Sequence, residues 1–449
     1  MIIFLKKALI PALILALGIF LRTNSLSSHA PFDWDQNRDY QEVTKIVSGK
    51  PTLIGPVARG EGGFFLGPLY YYLLTPFYIL SGGNPISLPA TSVMIDSLTI
   101  VSILGLGFFL KNVSFGYIFT LLWAVSPSAV DASRISWNVI FVPLWYIGMV
   151  YYLSKRKYSN LELLIVGVLA SLSWHIHAAL IPLAPILLLF RTRSLSLFSP
   201  RIFYLLIGYL LPLSPLILFD LRHMGLQSNL IKELIIGQES VRQPILEVAH
   251  SVLSRYGKNL AMFFGGKSDL NLPLGIVATS LSIAMLFMKP SLIRLASLTI
   301  LINLALVLLL GSVGFPEYYL LVATLVTVLI FSYFLSKHRL GIFFAAALAI
   351  YLLTKISFSP TPYSLENKLK LVSRIAQESR EISIIYDLPF GRESGLPILL
   401  KREGVNIVEG SNIIMMISEK NDPSLFIKGE LATELGYFGA YRLVKHELQ

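Results

Sequence analysis

Two carboxylates four residues apart open the stretch with the most chemistry to offer. The segment Asp33-Trp34-Asp35-Gln36-Asn37-Arg38-Asp39 leads into residues 35–48, where Tyr40, Val43 and Val47 recur on one side. That spacing predicts an amphipathic helix. Asp35 and Asp39 then share a face of it. Two acids on one face of an amphipathic helix, set against a bilayer, could form a site. The plainer alternative is an Asp N-cap and a solvated helix in which Arg38 neutralises its neighbours. A Gly-rich turn (Gly60, Gly62, Gly63) follows.

Cationic and aromatic groups recur at the ends of later apolar runs. Arg134 lies in a very short loop, Asp131 to Asn138. It reads either as a phosphate contact or as a snorkelling Arg paired with Asp131 beside Trp137. His175 and His177 sit in Trp174-His175-Ile176-His177. Spacing of two splits the rings between helix faces, which suits a zinc pair poorly. A hydrogen bond to a phosphate or hydroxyl fits better, with interfacial packing as the alternative. Asp220, Arg222 and His223 open a long loop that also carries Lys232, Arg242, Arg255 and Lys258. These read as solvated loop charges or as parts of a cationic clamp. Tyr318 and Tyr319 follow Phe315-Pro316-Glu317 and read as a substrate wall or an aromatic-belt anchor. Asp96 falls inside an apolar run and reads as a functional or interhelical polar contact. Cysteine is absent, which excludes disulfides, thiol catalysis and Cys-based metal sites.

The elements that must position these groups are set by composition. Of 449 residues, 54% are hydrophobic and 14% charged, against roughly a quarter charged in a soluble domain. The mean hydropathy is +0.67. This excludes an ordinary cytosolic enzyme, a disordered chain and a nucleic-acid binder with a solvated basic face. Apolar runs near 2–21, 87–110, 115–131, 138–154, 160–174, 178–190, 202–219, 272–288, 292–311, 317–335 and 340–356 predict about eleven transmembrane helices. The run 64–81 holds Gly67-Pro68, Pro76 and three successive tyrosines, and suits an interfacial or re-entrant helix. With the N-terminus cytoplasmic, Lys6, Lys7, Lys111, Lys155, Arg156, Lys157, Arg191, Arg193, Arg201, Lys289, Arg294, Lys337 and Arg339 all fall on inner loops. The net charge of +11 is then explained by the positive-inside rule.

That orientation puts 22–86, 220–271 and the tail from 357 outside. The chain thus divides into a membrane domain, 1–356, and an extracytoplasmic domain, 357–449. Residues 364–381 predict an amphipathic helix, and 382–386 and 413–417 predict short buried strands, hence a small α/β domain. No fixed-period repeat is present.

The order of these features resembles the GT-C superfamily of integral membrane glycosyltransferases, in particular the protein O-mannosyltransferase and aminoarabinose transferase branch. The resemblance covers roughly residues 1–335. It is carried by Asp35-Gln36-x-x-Asp39 in a large first loop and by Gly67 to Tyr72. Further blocks are Ser133-Arg134-x-x-Trp137-Asn138, His175-x-His177, Phe219-Asp220-x-Arg222-His223 and Tyr318-Tyr319. Where eukaryotic mannosyltransferases carry an Asp-Glu pair, this chain has Asp35-Gln36.

The resemblance implies transfer of one sugar, with inversion, from a polyprenyl-phosphate donor to a lipid, glycan or protein acceptor at the outer face of a prokaryotic cell membrane. A phosphate monoester leaves without a general acid but needs positive charge to hold it. The acceptor needs one base. Asp35 is then the expected base and Asp39 the orienting group. Arg134 and Arg222 are expected on the phosphate, supported by His175 or His177, with His223, Tyr318 and Tyr319 as further substrate contacts. The lipid tail is expected in a groove between spans, walled by 64–81. No cofactor is needed; an Asp pair could hold a divalent metal, but a single phosphate does not require one. The main rival is a transporter or flippase of lipid-linked sugars, which would instead place polar groups near the midplane. A ligase moving a whole glycan from a pyrophosphate-linked lipid and a structural scaffold stand behind it.

Overall fold

The computed structural model describes residues 2–58, 63–155, 157–191, 199–236, 243–266, 269–289, 291–310, 314–420 and 431–447. Gly60, Gly62, Arg156, Arg193 and Arg242 lie outside them.

All eleven apolar runs are helical. The helices are α1 (Ile2–Thr23), α2 (Leu26–His29), α3 (Trp34–Val47), α4 (Leu69–Leu80), α5 (Ser87–Phe109), α6 (Val113–Val125), α7 (Pro127–Ser133), α8 (Phe141–Leu153), α9 (Asn160–Ile176) and α10 (Leu180–Arg191). There follow α11 (Ile202–Arg222), α12 (Leu226–Ile236), α13 (Ile245–Phe263), α14 (Asn271–Met285), α15 (Ser291–Leu309), α16 (Leu321–Leu335) and α17 (Arg339–Leu353). A 3-10 turn, Glu317–Leu320, leads into α16.

Among the described residues, four helices are long and apolar enough to cross a membrane: α5, α11, α15 and α16 with its leading turn. The expected span 115–131 is instead the pair α6 and α7, bent by 64°. Ser126 is extended there and Pro127, which has no amide hydrogen to donate, opens the second helix. Five of the other six runs form helices of 10–17 residues, shorter than a straight crossing of about 20, and the first forms the 22-residue α1. The 64–81 segment yields only the 12-residue α4.

Small residues let the helices touch backbone to backbone, as is usual where lipid removes the hydrophobic drive between spans. A Cβ on Gly167 of α9 would lie 2.2 Å from the Leu205 carbonyl of α11, and one on Gly208 would lie 2.1 Å from that of Leu164. Gly257 and Gly275 do the same for α13 and α14. Between α1, α5 and α6, Arg22 forms a buried ion pair with Asp96 at 2.5 Å. Arg22 also donates to the carbonyls of Gly18, Ala124 and Trp123, and Trp123 donates its indole N–H to Asp96. Asp96 is therefore an interhelical contact.

After the bundle come α18 (Leu365–Glu378), β1 (Glu381–Asp387), α19 (Leu396–Arg402), β2 (Asn406–Ile407), β3 (Ile413–Glu419), β4 (Leu431–Phe438) and β5 (Tyr441–Glu447). Ser364 caps α18 by accepting from the Asn367 amide. The mixed sheet runs β2-β1-β3-β5-β4, parallel at β1–β2 and β1–β3 and antiparallel from β3 onward. Helix α18 packs Leu371, Val372 and Ile375 into a core with Ile382, Met415 and Leu443. That core continues without a break into Phe32, Tyr40 and Val43 of the first loop and Tyr70, Tyr71 and Leu74 of α4. The α/β unit and the first loop thus share one core, across the boundary expected at 357.

Candidate active site

Helix α3 carries the carboxylates. The Gln36 side chain accepts from the Asp33 amide at 3.0 Å and donates to the Ser136 carbonyl at 2.7 Å, fixing the helix start against the chain leading to α8. One face packs Tyr40 and Val43 inward. On that register Asp39 is fully buried while the Asp35 side chain is 58% exposed. Arg38 lies between them. It donates to Asp39 Oδ1 through Nε at 2.9 Å and Nη2 at 2.7 Å, and to Asp35 through Nη1 at 2.8 Å. Burial is the largest influence on Asp39 and pushes its carboxyl up to about 7 despite the guanidinium beside it. Asp39 Oδ2 is buried, with no hydrogen-bond partner among the described residues.

Asp35 and Arg38 form one wall of a cavity of about 160 Å³. Trp137, Asn138, His177, Tyr318 and Tyr319 complete its rim. His177 caps α9 in an extended conformation, and its ring meets Tyr318 and Tyr319 edge-on, with centroids 5.3 and 4.7 Å away. Burial pushes the ring down to about 4, so it is neutral near pH 7. Its Nδ1 accepts the Ala179 amide at 3.2 Å. The proton then sits on Nε2, a donor with no partner among the described residues.

Trp137, Val139 and Tyr318 also line a second cavity of about 250 Å³. Its other walls are mainly apolar, including Trp123, Ala129, Met262 and Leu321. Glu317 stands on its rim, and Arg255 and Lys258 of α13 reach that carboxylate at 3.1 and 2.9 Å. A small polar chamber with a carboxylate and an apolar chamber therefore adjoin at Tyr318, and the apolar chamber's rim carries a carboxylate held by two cations.

No family model matches the chain, and no curated protein matches its sequence. Solved structures do match in fold. ArnT from Cupriavidus metallidurans bound to undecaprenyl phosphate, an aminoarabinose transferase, aligns over 97% of this chain and 97% of its own, with a TM-score of 0.58 at 10% identity. The Archaeoglobus fulgidus oligosaccharyltransferase tethered to an acceptor peptide aligns over 92% of this chain and 69% of its own, with a TM-score of 0.51 at 14% identity. Both are GT-C proteins. The chain has the GT-C fold. Its apolar helices are those of a membrane protein.

Within this GT-C fold the expected site residues part ways. Asp35, His177, Tyr318 and Tyr319 meet at the polar cavity, and Asp39 stands behind it through Arg38. Arg134 is not brought there. It is 1% exposed, donates to the Leu21 carbonyl at 2.7 Å and faces Asp131 at 3.7 Å. His175 is not on the cavity wall either. Its Nδ1 accepts from the Leu69 amide at 3.4 Å and its Nε2 donates to the Pro212 carbonyl at 2.8 Å, joining α9, α4 and α11. Gly67 is needed there because a Cβ would lie 2.1 Å from that ring. Arg222 is exposed at the end of α11. His223 stacks on Phe219 at 4.2 Å, with Nδ1 against the Phe219 carbonyl. Neither lines the cavity. The expected wall 64–81 contributes Leu66 to the polar cavity, while α4 turns Tyr70 and Tyr71 into the shared core.

Sequence reasoning passed over Arg38 as a mere neutraliser. The signal was its position between two acids on one helix face. Among the described residues no three His, Asp or Glu side chains cluster so as to hold a metal ion.

Proposed function

We propose that this protein is a glycosyltransferase that moves a single sugar from a polyprenyl-phosphate donor to an acceptor hydroxyl at the outer face of a prokaryotic cell membrane. One observation carries the reading: the polar cavity that holds Asp35 shares Trp137, Val139 and Tyr318 with the apolar cavity, and Glu317 on the rim of the apolar cavity is held by Arg255 and Lys258. That is the layout a lipid-borne sugar phosphate demands. The GT-C relative solved with undecaprenyl phosphate supports the donor class.

In this reading the lipid enters the apolar cavity and its phosphate draws Arg255 and Lys258 away from Glu317. The singly charged phosphodiester of the donor can compete for such exposed pairs, because a surface ion pair is worth only about 0–1 kcal/mol. The sugar then lies in the polar cavity against His177, Trp137 and the tyrosine pair. Asp35 accepts the acceptor's hydroxyl proton as the acceptor oxygen bonds to the anomeric carbon. The bond from that carbon to the phosphate oxygen breaks, and the electron pair leaves with the polyprenyl phosphate. Attack from the face opposite the phosphate inverts the anomeric centre. Asp39 orients Arg38, which in turn holds Asp35. Neutral His177 offers its Nε2–H as a neutral hydrogen-bond donor to a sugar oxygen.

The test is transfer of label from a radiolabelled polyprenyl-phosphate sugar in washed membranes. Asp35→Asn is expected to lower it about 100-fold or more, the scale of a positioned base, with the thermal unfolding profile unchanged. Near wild-type transfer by that variant overturns the assignment of the base. Label that crosses the bilayer without changing its carrier overturns the transferase in favour of a flippase.

A further inference from the structure

Beside the polar cavity a second opening of about 400 Å³ lies between the start of α3 and the turn that follows β1. Its size falls in the range of small-ligand sites, roughly 300–1,000 Å³. Asp35 belongs to both openings, so whatever occupies the second reaches the same carboxylate. Its walls come from two units far apart in sequence: Asp33, Trp34 and Gln36 on one side, Phe390, Gly391 and Arg392 on the other. Trp34 and Phe390 are 53% and 88% exposed, and their rings meet at 4.8 Å with a 56° tilt. Two large aromatic side chains held in water beside a carboxylate form a shelf that nothing in the fold covers.

The polar groups around the shelf are already ordered. Arg392 donates to Asp33 at 2.7 Å and stacks on the Tyr363 ring at 4.4 Å. Lys368, fully buried, donates to Asp33, to the Phe32 carbonyl and to the Ser394 carbonyl. Asp33 is shared by Arg392 and Lys368, and two carboxylates line the opening with one guanidinium. An anionic ligand would face both of those carboxylates. No strand of the sheet lines it, so an extended peptide finds no edge to pair with. A neutral ring with hydroxyls at its rim and C–H groups on its faces fits, because aromatic faces are electron-rich and attract such C–H groups.

We infer that this opening is the acceptor subsite and that the acceptor is a neutral saccharide, stacked on Trp34 and Phe390 with a hydroxyl at Asp35. The inference rests on the transferase reading for its role, but binding can be read without transfer.

The test is saturation-transfer NMR on the full chain in lipid nanodiscs, with mannobiose, lactose and cellobiose as probes. An alkyl disaccharide carried in the same nanodisc serves as the lipid-borne form. Ring-proton saturation by the free disaccharides points to a glycan acceptor; saturation by the alkyl disaccharide alone points to a glycolipid. Both outcomes support the subsite. Phe390→Ala, at an exposed position that the fold does not need, is expected to weaken the signal about tenfold, the upper range for one aromatic contact. No ring-proton saturation from any probe, or equal saturation in Phe390→Ala, overturns the subsite. The labelled-donor assay is run separately. Saccharide binding without transfer leaves the subsite standing and removes the transferase, and transfer to a peptide with no saccharide binding does the reverse.

Discussion

Replacing Asp39 with Asn is expected to remove a pH dependence of stability that the wild-type protein carries. Asp39 is fully buried, and burial lifts its carboxyl from 3.8 to about 7. In the unfolded chain it titrates at its ordinary value. Between those limits the folded chain holds a proton that the unfolded chain has already released. The stabilisation is therefore fully present at low pH, falls as pH rises, and levels off above about 7. At about 1.4 kcal/mol per pH unit the whole interval amounts to about 4 kcal/mol. Asn carries no proton and lacks this slope. Thermal unfolding of both proteins in one detergent, from about pH 5 to about pH 8, isolates the effect, since the remaining titrating groups are common to both. The melting temperature of Asp39→Asn relative to wild type should rise with pH and flatten near 7. A difference that stays constant, or falls, means that Arg38 keeps the carboxylate ionised throughout and that burial does not dominate. Transfer should follow the opposite limb. Ionised Asp39 grips Arg38 best, so wild-type activity rises through pH 7 and that of the variant does not.

Other perturbations separate the roles. Gly67→Ala should cost about 1–3 kcal/mol of stability by overpacking against the His175 ring. His175→Ala in that background should recover part of the loss, read as coupling in a double-mutant cycle of thermal unfolding. Arg255→Ala and Lys258→Ala should each lower kcat/KM for the polyprenyl-phosphate donor about tenfold or more, as expected for a lost charged contact to a phosphate whose negative charge grows as the sugar leaves. Lys368→Met should cost about 1–3 kcal/mol by leaving the buried Phe32 carbonyl and the part-buried Ser394 carbonyl without their donor. Hydrogen exchange of residues 31–36 and 388–395 should then rise together.

What was legible in the sequence follows from range. Helix α3 and the helix expected over 364–381 show themselves through apolar residues at helical spacing, and both form within a few residues of the expected bounds. The tyrosine pair and His177 were found because polar aromatics at the end of an apolar run are conspicuous. The cationic assignments fared differently. Arg134 stood out as the lone basic residue of the short outer loops, yet one of its contacts is the Leu21 carbonyl more than a hundred residues earlier. His175 likewise answers to Leu69 and Pro212. Such partners leave no local pattern. The joint core of the first loop and the C-terminal unit is equally long in range, and β4 and β5 went unread for the same reason: their pairing lies in a sheet, not in a period.

The buried cations show why exposure, and not conspicuousness, marks those that can do chemistry. Arg22, Arg134 and Lys368 are each at most 1% exposed. Arg22 and Lys368 are saturated by carbonyls and a carboxylate, and Arg134 binds the Leu21 carbonyl. To pull Arg22 or Lys368 onto a phosphate would strand their carbonyl and carboxylate acceptors and cost several kcal/mol. Each of the three instead ties together segments far apart in the chain: α1 to α5 and α6, α1 to α7, and the first loop to the C-terminal unit. Arg255 and Lys258 sit on one shared, partly exposed carboxylate, Glu317. Exchanging that partner for the donor's phosphate costs little, because the ion pairs given up are solvated, and the phosphate gains its second negative charge as the sugar leaves. Arg38 is intermediate, anchored by buried Asp39 on one side and by exposed Asp35 on the other. When Asp35 takes a proton from an acceptor, only the outer arm of that arrangement loses its charge, while the inner arm holds the guanidinium in place for the next cycle.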